Sequence, residues 1–108
     1  MTYNRRMLLK EVDALVAGKP RIRLSEVASS LGVDRHTVQN VIRRTKRVSF
    51  RTYQRKKLLE MAHMMLNMPD VSIKEIGIKL GYSSAASFSR FMQQLTGKSP
   101  TQLRSDGI

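Results

Sequence analysis

One segment of this 108-residue chain, residues 71–104, constrains the fold more than any other. Ser72 and Glu75 stand three residues apart before an apolar run at helical spacing, which is the capping-box pattern that begins a helix. Gly81 follows that run, where a chain leaving a helix in a left-handed turn favours a residue without Cβ. A second apolar stripe at helical spacing comes next and is closed by Gly97. The segment therefore predicts a short helix, a tight turn and a crossing second helix, which together form a helix-turn-helix unit.

The same pattern occurs a second time, earlier in the chain. Positions 22–32 match positions 71–81 at a constant offset of 49 residues. The two copies then slip by one residue because the second turn is longer, and beyond the slip Val38 matches Phe88. Two halves of about 50 residues with one signature indicate an internal duplication.

Two further helices are predicted outside the repeated pattern. Residues 3–17 carry an apolar stripe typical of a scaffold helix and end before Gly18 and Pro20. Residues 49–67, capped by Ser49, form a long central helix. At ~1.5 Å per residue, this helix spans roughly 28 Å, which is comparable with the ~34 Å between successive major-groove faces of B-DNA. Such a connector could hold two reading heads about one DNA turn apart.

The charge balance points to an anionic partner. Lysine and arginine total 20 against 8 acidic residues, a formal net charge of +12, and nucleic acid is the commonest explanation for such a basic domain. Cysteine is absent, which excludes disulfides and thiolate chemistry. No apolar run approaches the ~18 residues of a membrane span, and the N-terminal apolar run is too short for a signal peptide. We therefore expect no membrane association and a cytoplasmic, nucleoid-associated protein.

A set of residues at fixed spacing in the second copy is typical of one family. These residues are Ile73, Ile76, Gly77, Gly81, Tyr82, Ser84, Phe88, Ser89, Arg90, Met92, Gly97, Ser99, Pro100 and Arg104. In them the chain resembles the DNA-binding domain of the AraC/XylS family of bacterial transcription regulators, and the resemblance extends over residues 8–104.

The resemblance implies an all-α fold of about seven helices in which two helix-turn-helix subdomains are joined by the long central helix. The predicted division is residues 1–48, the linker helix 49–68 and residues 69–108, as one DNA-binding unit. The implied function is sequence-specific transcription regulation, with two recognition helices in adjacent major grooves of double-stranded DNA. RNA polymerase and a missing effector or dimerisation domain are further candidate partners.

Two departures from the family pattern bear on local structure. Gly77 stands where the family commonly has Ala, which loosens that helix. Arg47 stands where the first copy should match Gly97. Because Arg tolerates a left-handed conformation poorly, the shape of the first recognition helix's ending is left open by the sequence.

The second helix of the first copy, which Asp34 is expected to cap, carries most of the predicted base contacts. Its outward polar face lacks acidic residues and comprises Arg35, His36, Gln39, Asn40 and Arg43. Gln39 and Asn40 can pair bidentately with adenine, and Arg35 with guanine. The resemblance places His36, Gln39 and Asn40 at base-contacting positions. The alternative is an ordinary solvated polar face.

The second copy offers different chemistry. Its outward positions are short side chains suited to phosphate or groove contacts, namely Ser83, Ser84, Ala85, Ala86 and Ser87. Either Ser83 or Ser84 is expected to cap the helix, and Arg90 is the one long donor there, predicted to contact a base. We therefore hypothesise unequal heads, in which the first copy supplies most base discrimination and the second mainly anchors and reads shape.

Three cations at the end of the first recognition helix, Arg43, Lys46 and Arg47, are predicted to neutralise phosphates. Other central cations could equally keep the domain soluble.

Three other classes of function fit the sequence less well. The chain has no cysteine, no glycine-rich phosphate loop and only two distant histidines, which argues against an enzyme, a metal site or a cofactor. A non-sequence-specific architectural nucleic-acid-binding protein is the main alternative, although it would favour more than 6% aromatic residues for stacking or wedging. A protein-interaction bundle that has lost DNA binding is the third.

Overall fold

The computed structural model describes residues 4–106, and these residues form seven α-helices joined by short turns. The helices are α1 (Arg5–Gly18), α2 (Leu24–Leu31), α3 (Arg35–Lys46), α4 (Phe50–Leu66), α5 (Ile73–Lys79), α6 (Ala85–Thr96) and α7 (Pro100–Ser105). The predicted all-α, seven-helix fold is thus confirmed. The predicted first helix residue, Tyr3, and the last two residues of the predicted second subdomain lie outside the described residues.

The chain divides into two compact units, an N-terminal unit (Met1–Lys57) and a C-terminal unit (Leu58–Ile108). The boundary falls inside α4, whereas the predicted boundaries lie at either end of this helix. The first half of α4 therefore belongs to one unit and its second half to the other.

The core of the N-terminal unit is formed by α1, α2, α3 and the first half of α4. Its buried members are Val12, Val16, Ile22, Val27, Ala28, Val38, Ile42, Phe50 and Tyr53. The Tyr53 hydroxyl donates a hydrogen bond to the Asp13 carboxylate, which ties α4 to α1. Burial, followed by the hydrogen bond to Asp13, raises the pKa of Tyr53, so the hydroxyl stays a neutral donor.

The core of the C-terminal unit repeats this arrangement with the second half of α4, α5, α6 and α7. Its buried members are Leu58, Ala62, Leu66, Ile76, Leu80, Tyr82, Phe88, Met92 and Leu103. Gly77 lets α5 and α6 approach closely, because a Cβ at this position would lie 3.0 Å from Cβ of Phe88.

The predicted helix caps are confirmed. Asp34, Ser49, Ser72 and Ser84 each accept a hydrogen bond from a first-turn backbone N–H at 2.8–3.2 Å. Of the two candidates for the N-cap of α6, Ser83 and Ser84, the structure therefore identifies Ser84. The first helix of the first copy starts at residue 24, after a turn closed by the N–H of residue 22 donating to the carbonyl of residue 19.

The duplication is visible helix by helix. The recognition helices α3 and α6 both have 12 residues and correspond at an offset of 50. Three residues separate α2 from α3, whereas four lie between Leu80, the counterpart of Leu31, and Ala85. The predicted one-residue slip is therefore located in the second turn. At the same offset, the buried residues of α1 match the second half of α4, and the first half of α4 matches α7.

The end of α3, whose shape the sequence left open, is formed by Arg47. Arg47 adopts the left-handed conformation (φ +62°) and is the only non-glycine residue with positive φ in the described part of the chain. Its N–H donates to the carbonyl of Arg43 at 3.0 Å, as the N–H of Gly97 (φ +78°) donates to that of Gln93 at 2.8 Å. The two recognition helices therefore end in the same way, and in the first copy a side chain bears the strain of that ending.

Candidate nucleic-acid interface

The recognition helix α3 buries one face and presents the other to solvent. Val38 and Ile42 lie in the core. At 3.6 residues per turn, the opposite face carries His36, Asn40 and Arg43. His36 and Arg43 are exposed and Asn40 is half-buried. The other predicted contacts on this helix, Arg35, Lys46 and the cap residue Arg47, are exposed as well.

Gln39 is held differently from its neighbours. It is half-buried at the edge of the outer face, and its Oε1 accepts a hydrogen bond from the backbone N–H of Phe50 at 2.9 Å. Phe50 is the first residue of α4, so Gln39 satisfies one of the N–H groups that a helix leaves free at its start. This predicted base contact therefore also has a structural partner within the protein.

The outer face of α6 is built from smaller residues. Phe88 and Met92 are buried, and the opposite face carries Ala86, Arg90 and Gln93, all exposed. Gln93 was not among the predicted contact residues, all of which except Arg90 lie at the start of this helix in the second copy. The offset of 50 could have revealed it, since it corresponds to Arg43.

The serines at the start of α6 are largely occupied by the helix itself. The Ser84 Oγ accepts from the N–H of Ser87 at 3.1 Å, and the Ser87 Oγ donates to the carbonyl of Ser84 at 3.0 Å. Ser83 is exposed and Ala85 is half-buried. All five predicted groove residues thus lie within one turn of the N-terminus of α6, where backbone N–H groups favour an anion.

The two units differ sharply in charge. Fifteen of the 20 lysines and arginines lie in residues 1–57 together with four acidic residues, a net charge of +11. Residues 58–108 contain five basic and four acidic residues, a net charge of +1. The two ion pairs found within residues 4–106, Lys19–Glu26 and Lys98–Asp106, leave the cations of α3 unneutralised.

The charges of α3 are arranged to suit its helix dipole. Asp34 stands at the positive N-terminus, where the hydrogen bond from the N–H of Thr37 is the main cause that lowers the pKa of its carboxyl group. Arg43, Arg44 and Lys46 occupy the last turn, which is the negative end of the dipole. The basic end of the helix therefore stabilises the fold while it offers positive charge to an anion.

Metal ligands, cavities and membrane-spanning helices were each sought within the described residues. No group of three His, Asp or Glu side chains within residues 4–106 could hold a metal ion. An open cavity of about 500 Å³ in the N-terminal unit is lined by Asn4, Arg5, Arg6, Leu9 and Thr45 and contains no acidic side chain. No helix between residues 4 and 106 is long and apolar enough to cross a membrane.

The duplicated helix-turn-helix units define the class of protein. A model of the helix-turn-helix domain family matches residues 27–106, which is more than half of the chain. The structure is similar to that of an AraC-type transcriptional regulator from Chromobacterium violaceum, with a TM-score of 0.76, 22% identity, and coverage of 94% of this chain and 93% of that one. The chain belongs to the helix-turn-helix family and has the fold of its AraC-type DNA-binding domains, a non-enzymatic class.

Curated relatives are transcription regulators of different lengths. The chain is 26% identical over 100 residues to the probable transcription factor PqrA of Proteus vulgaris, covering 93% of this chain and 82% of that protein. It is 26% identical over 85 residues to the Msm operon regulatory protein of Streptococcus mutans. That match covers 79% of this chain but only 31% of the relative, so the chain spans about a third of that protein.

Proposed function

We propose that this domain is a sequence-specific transcription regulator that inserts α3 and α6 into adjacent major grooves of one DNA duplex. The observation that carries the proposal is the correspondence of the two recognition helices. They have equal length, equivalent N-caps and C-caps, and outer faces free of acidic residues. An exposed α-helix of this kind fits the major groove of B-DNA, and a duplicated reader fits two successive grooves.

Asn40 and Arg90 are proposed as the paired base readers. They occupy the same position in the two copies, 50 residues apart, and lie opposite the buried stripe of each helix. Asn pairs bidentately with adenine and Arg with guanine, so the two heads would read different bases. Arg35, His36 and Gln39 are the further proposed base contacts of α3.

Phosphate contacts are proposed for two groups of residues. In the first copy they are Arg43, Lys46 and Arg47, exposed cations that form no ion pair with the described residues 4–106. In the second copy, groove or phosphate contacts are proposed for Ser83, Ser84, Ala85, Ala86 and Ser87, at the start of α6. The charge of +11 in the N-terminal unit supports the hypothesis of unequal heads, with the first copy supplying most of the affinity and base discrimination.

Selection of duplexes from a random pool tests this proposal. We expect asymmetric winners with two information-rich patches about 10 bp apart. Asn40→Ala should flatten one patch and Arg90→Ala the other, each by ~1–3 kcal/mol of base discrimination. Ser29→Ala, at an exposed position of α2 outside the recognition helices, is the matched control and should leave both patches unchanged.

Three results would contradict the proposal in different ways. Equal binding of all duplexes, with steep salt dependence, would support the architectural alternative. A single patch would show that only one helix reads bases. No binding at modest salt would support a protein-interaction bundle.

The wider context is proposed from the relatives. Because the chain spans about a third of the Streptococcus mutans regulator, an effector or dimerisation domain is a candidate partner, and RNA polymerase is another. A bacterial cytoplasmic setting is proposed on the same basis.

A further inference from the structure

The amide of Gln39 has its two ends in different environments. Its oxygen accepts the N–H of Phe50 at 2.9 Å, in a half-buried position between two helices of the N-terminal unit. Phe50 is itself buried, with 4% of its surface exposed, so its N–H has little access to water as an alternative acceptor. A buried backbone N–H that loses its acceptor costs ~1–3 kcal/mol, which keeps the oxygen of Gln39 in place.

The second copy indicates that the hydrogen bond between Gln39 and Phe50 has a structural role. The counterpart of Phe50 is Pro100, which has no N–H, and the counterpart of Gln39 is Ser89, too short to reach across. Where the donor is absent, the long amide acceptor is absent too. In the first copy, a side chain of the recognition helix accepts the first N–H of the following helix. In the second copy, proline removes that N–H and no acceptor is required.

We infer that Gln39 presents only its NH₂ group to DNA and acts there as a hydrogen-bond donor. This inference rests on the proposed function and refines it at one residue. The bidentate pairing of Gln with adenine needs both amide ends on one base edge, with the oxygen accepting from N6 and the nitrogen donating to N7. With the oxygen held by the N–H of Phe50, that pairing would require the same oxygen to accept two hydrogen bonds at once, which disfavours it. The remaining donor suits base edges that offer acceptors, such as O6 and N7 of guanine or O4 of thymine, and it disfavours cytosine, whose N4 is itself a donor.

Gln39→Glu is the sharpest test because it separates the two ends of the side chain. Glutamate keeps an acceptor for Phe50 but replaces the donor with a second acceptor. In duplex selection, the wild-type protein should deplete cytosine at the contacted position by about two- to tenfold, as expected for one hydrogen bond. Gln39→Glu should reverse this preference towards bases with an amino group, cytosine and adenine. Ser29→Asp, which makes the same charge change at an exposed position of α2 outside the recognition helices, controls for charge alone and should leave this preference unchanged.

Hydrogen exchange of the Phe50 amide supplies a readout independent of base preference. The amide should be protected in the wild type, both free and bound to DNA, and in Gln39→Glu. It should exchange faster in Gln39→Ala.

The outcomes separate this inference from the proposed function. Dominance of adenine over guanine and thymine in the wild type would show that the oxygen also accepts from adenine N6, and loss of Phe50 protection on DNA binding would show that the oxygen leaves Phe50. Either result would overturn the inference while the regulator assignment stands. An unchanged profile in Gln39→Glu would show that Gln39 reads no base, with the same consequence. If no protein variant enriches any sequence, the proposed function fails and the inference fails with it.

Discussion

The N-terminal and C-terminal units share the same helix arrangement but differ in the charge and size of their exposed side chains. Their helices correspond at offsets of 49 and 50 residues, and most buried apolar positions of one core have a buried counterpart in the other. Their net charges, in contrast, are +11 and +1. The comparison shows that two units with the same backbone arrangement and similar buried faces can carry very different charges on their outer faces.

The scaffold itself uses different residues for equivalent purposes. Gln54 of α4 donates to the carbonyls of Pro20 and Ile22 at 2.8 and 2.6 Å, and so holds the segment that leads into α2. Fifty residues later, Arg104 of α7 donates to the carbonyls of Leu66, Val71 and two neighbouring residues, and so holds the segment that leads into α5. A neutral amide and a cation thus fix the same junction in the two units.

The largest expected effect comes from removing these two ties. Arg104→Ala removes the guanidinium donor from four carbonyls, two of which, those of Met65 and Met68, also accept a backbone N–H. The loss should lower the free energy of unfolding by ~3 kcal/mol, because hydrogen bonds to a charged group are the stronger ones. Gln54→Ala loses two neutral bonds and should cost ~1–2 kcal/mol. Urea denaturation measures both losses, and Arg104→Gln, which copies the amide of the N-terminal unit, should recover part of the first. Equal losses of stability in Arg104→Ala and Gln54→Ala would contradict the expectation that the charged tie is the stronger one.

The charge difference should appear in the salt dependence of DNA binding. Replacing Arg43 and Lys46 with Gln should reduce the slope of log affinity against log salt by ~1.8, or ~0.9 for each lost phosphate contact. Replacing Lys74 and Lys79 with Gln in the C-terminal unit removes the same charge, and we expect little change in slope. Binding titrations at several salt concentrations decide between them. Similar changes in the two double variants would mean that net charge alone, and not its location, sets the affinity.

A smaller effect is expected at the ends of the recognition helices. Arg47→Gly should raise the free energy of unfolding by ~1 kcal/mol, because a side chain in the left-handed region is strained and glycine is not. Gly97→Ala should lower it by a similar amount, since Gly97 has φ +78°. Thermal unfolding measures both changes, and Arg47→Ala, which removes the charge but keeps Cβ, should bring little of the gain. A gain in Arg47→Ala equal to that in Arg47→Gly would assign the effect to charge.

The smallest expected effect is a pH dependence confined to one cap. Hydrogen bonding to Thr37 lowers the pKa of Asp34 below its ordinary value of 3.8. The ionised cap therefore stabilises α3 fully above about pH 4, and this contribution is lost as the pH falls through the lowered pKa. Ser84, which caps α6, does not titrate in this range.

The amide proton chemical shifts of Thr37 and Ser87, followed by NMR in acid, compare the two caps directly. The Thr37 shift should move towards its unfolded value and the Ser87 shift should not. Asp34→Ser should remove the difference, and its persistence in that variant would exclude the cap as its source.

Most of the fold could be predicted because its signals are local. The caps at Asp34, Ser72 and Ser84, the glycine at position 81 and the one-residue slip all follow from spacing within a few residues. The ties made by Gln54 and Arg104 could not be predicted, since they join residues 32 to 39 positions apart and periodicity carries no information about such pairs. Arg47 adopts the left-handed conformation that the end of α3 requires, although arginine by itself disfavours this conformation.

The candidate interface was predicted less evenly. The basic face of α3 is evident from its charges and the absence of acids. The hydrogen bond between Gln39 and Phe50 depends on how α3 meets α4, which the sequence alone does not reveal. Gln93 carries no charge and lies late in α6, so only the alignment of the two copies makes it visible.

Because the two units share helix α4, the same arrangement could in principle be extended by further copies. Each copy begins on the helix that closes the copy before it, so two copies that each contain four helical segments require only seven helices. By the same rule, a longer helix in the place of α7 could serve as the first segment of a third copy. Tandem arrays of such readers could therefore be engineered by extension rather than by fusion through flexible linkers.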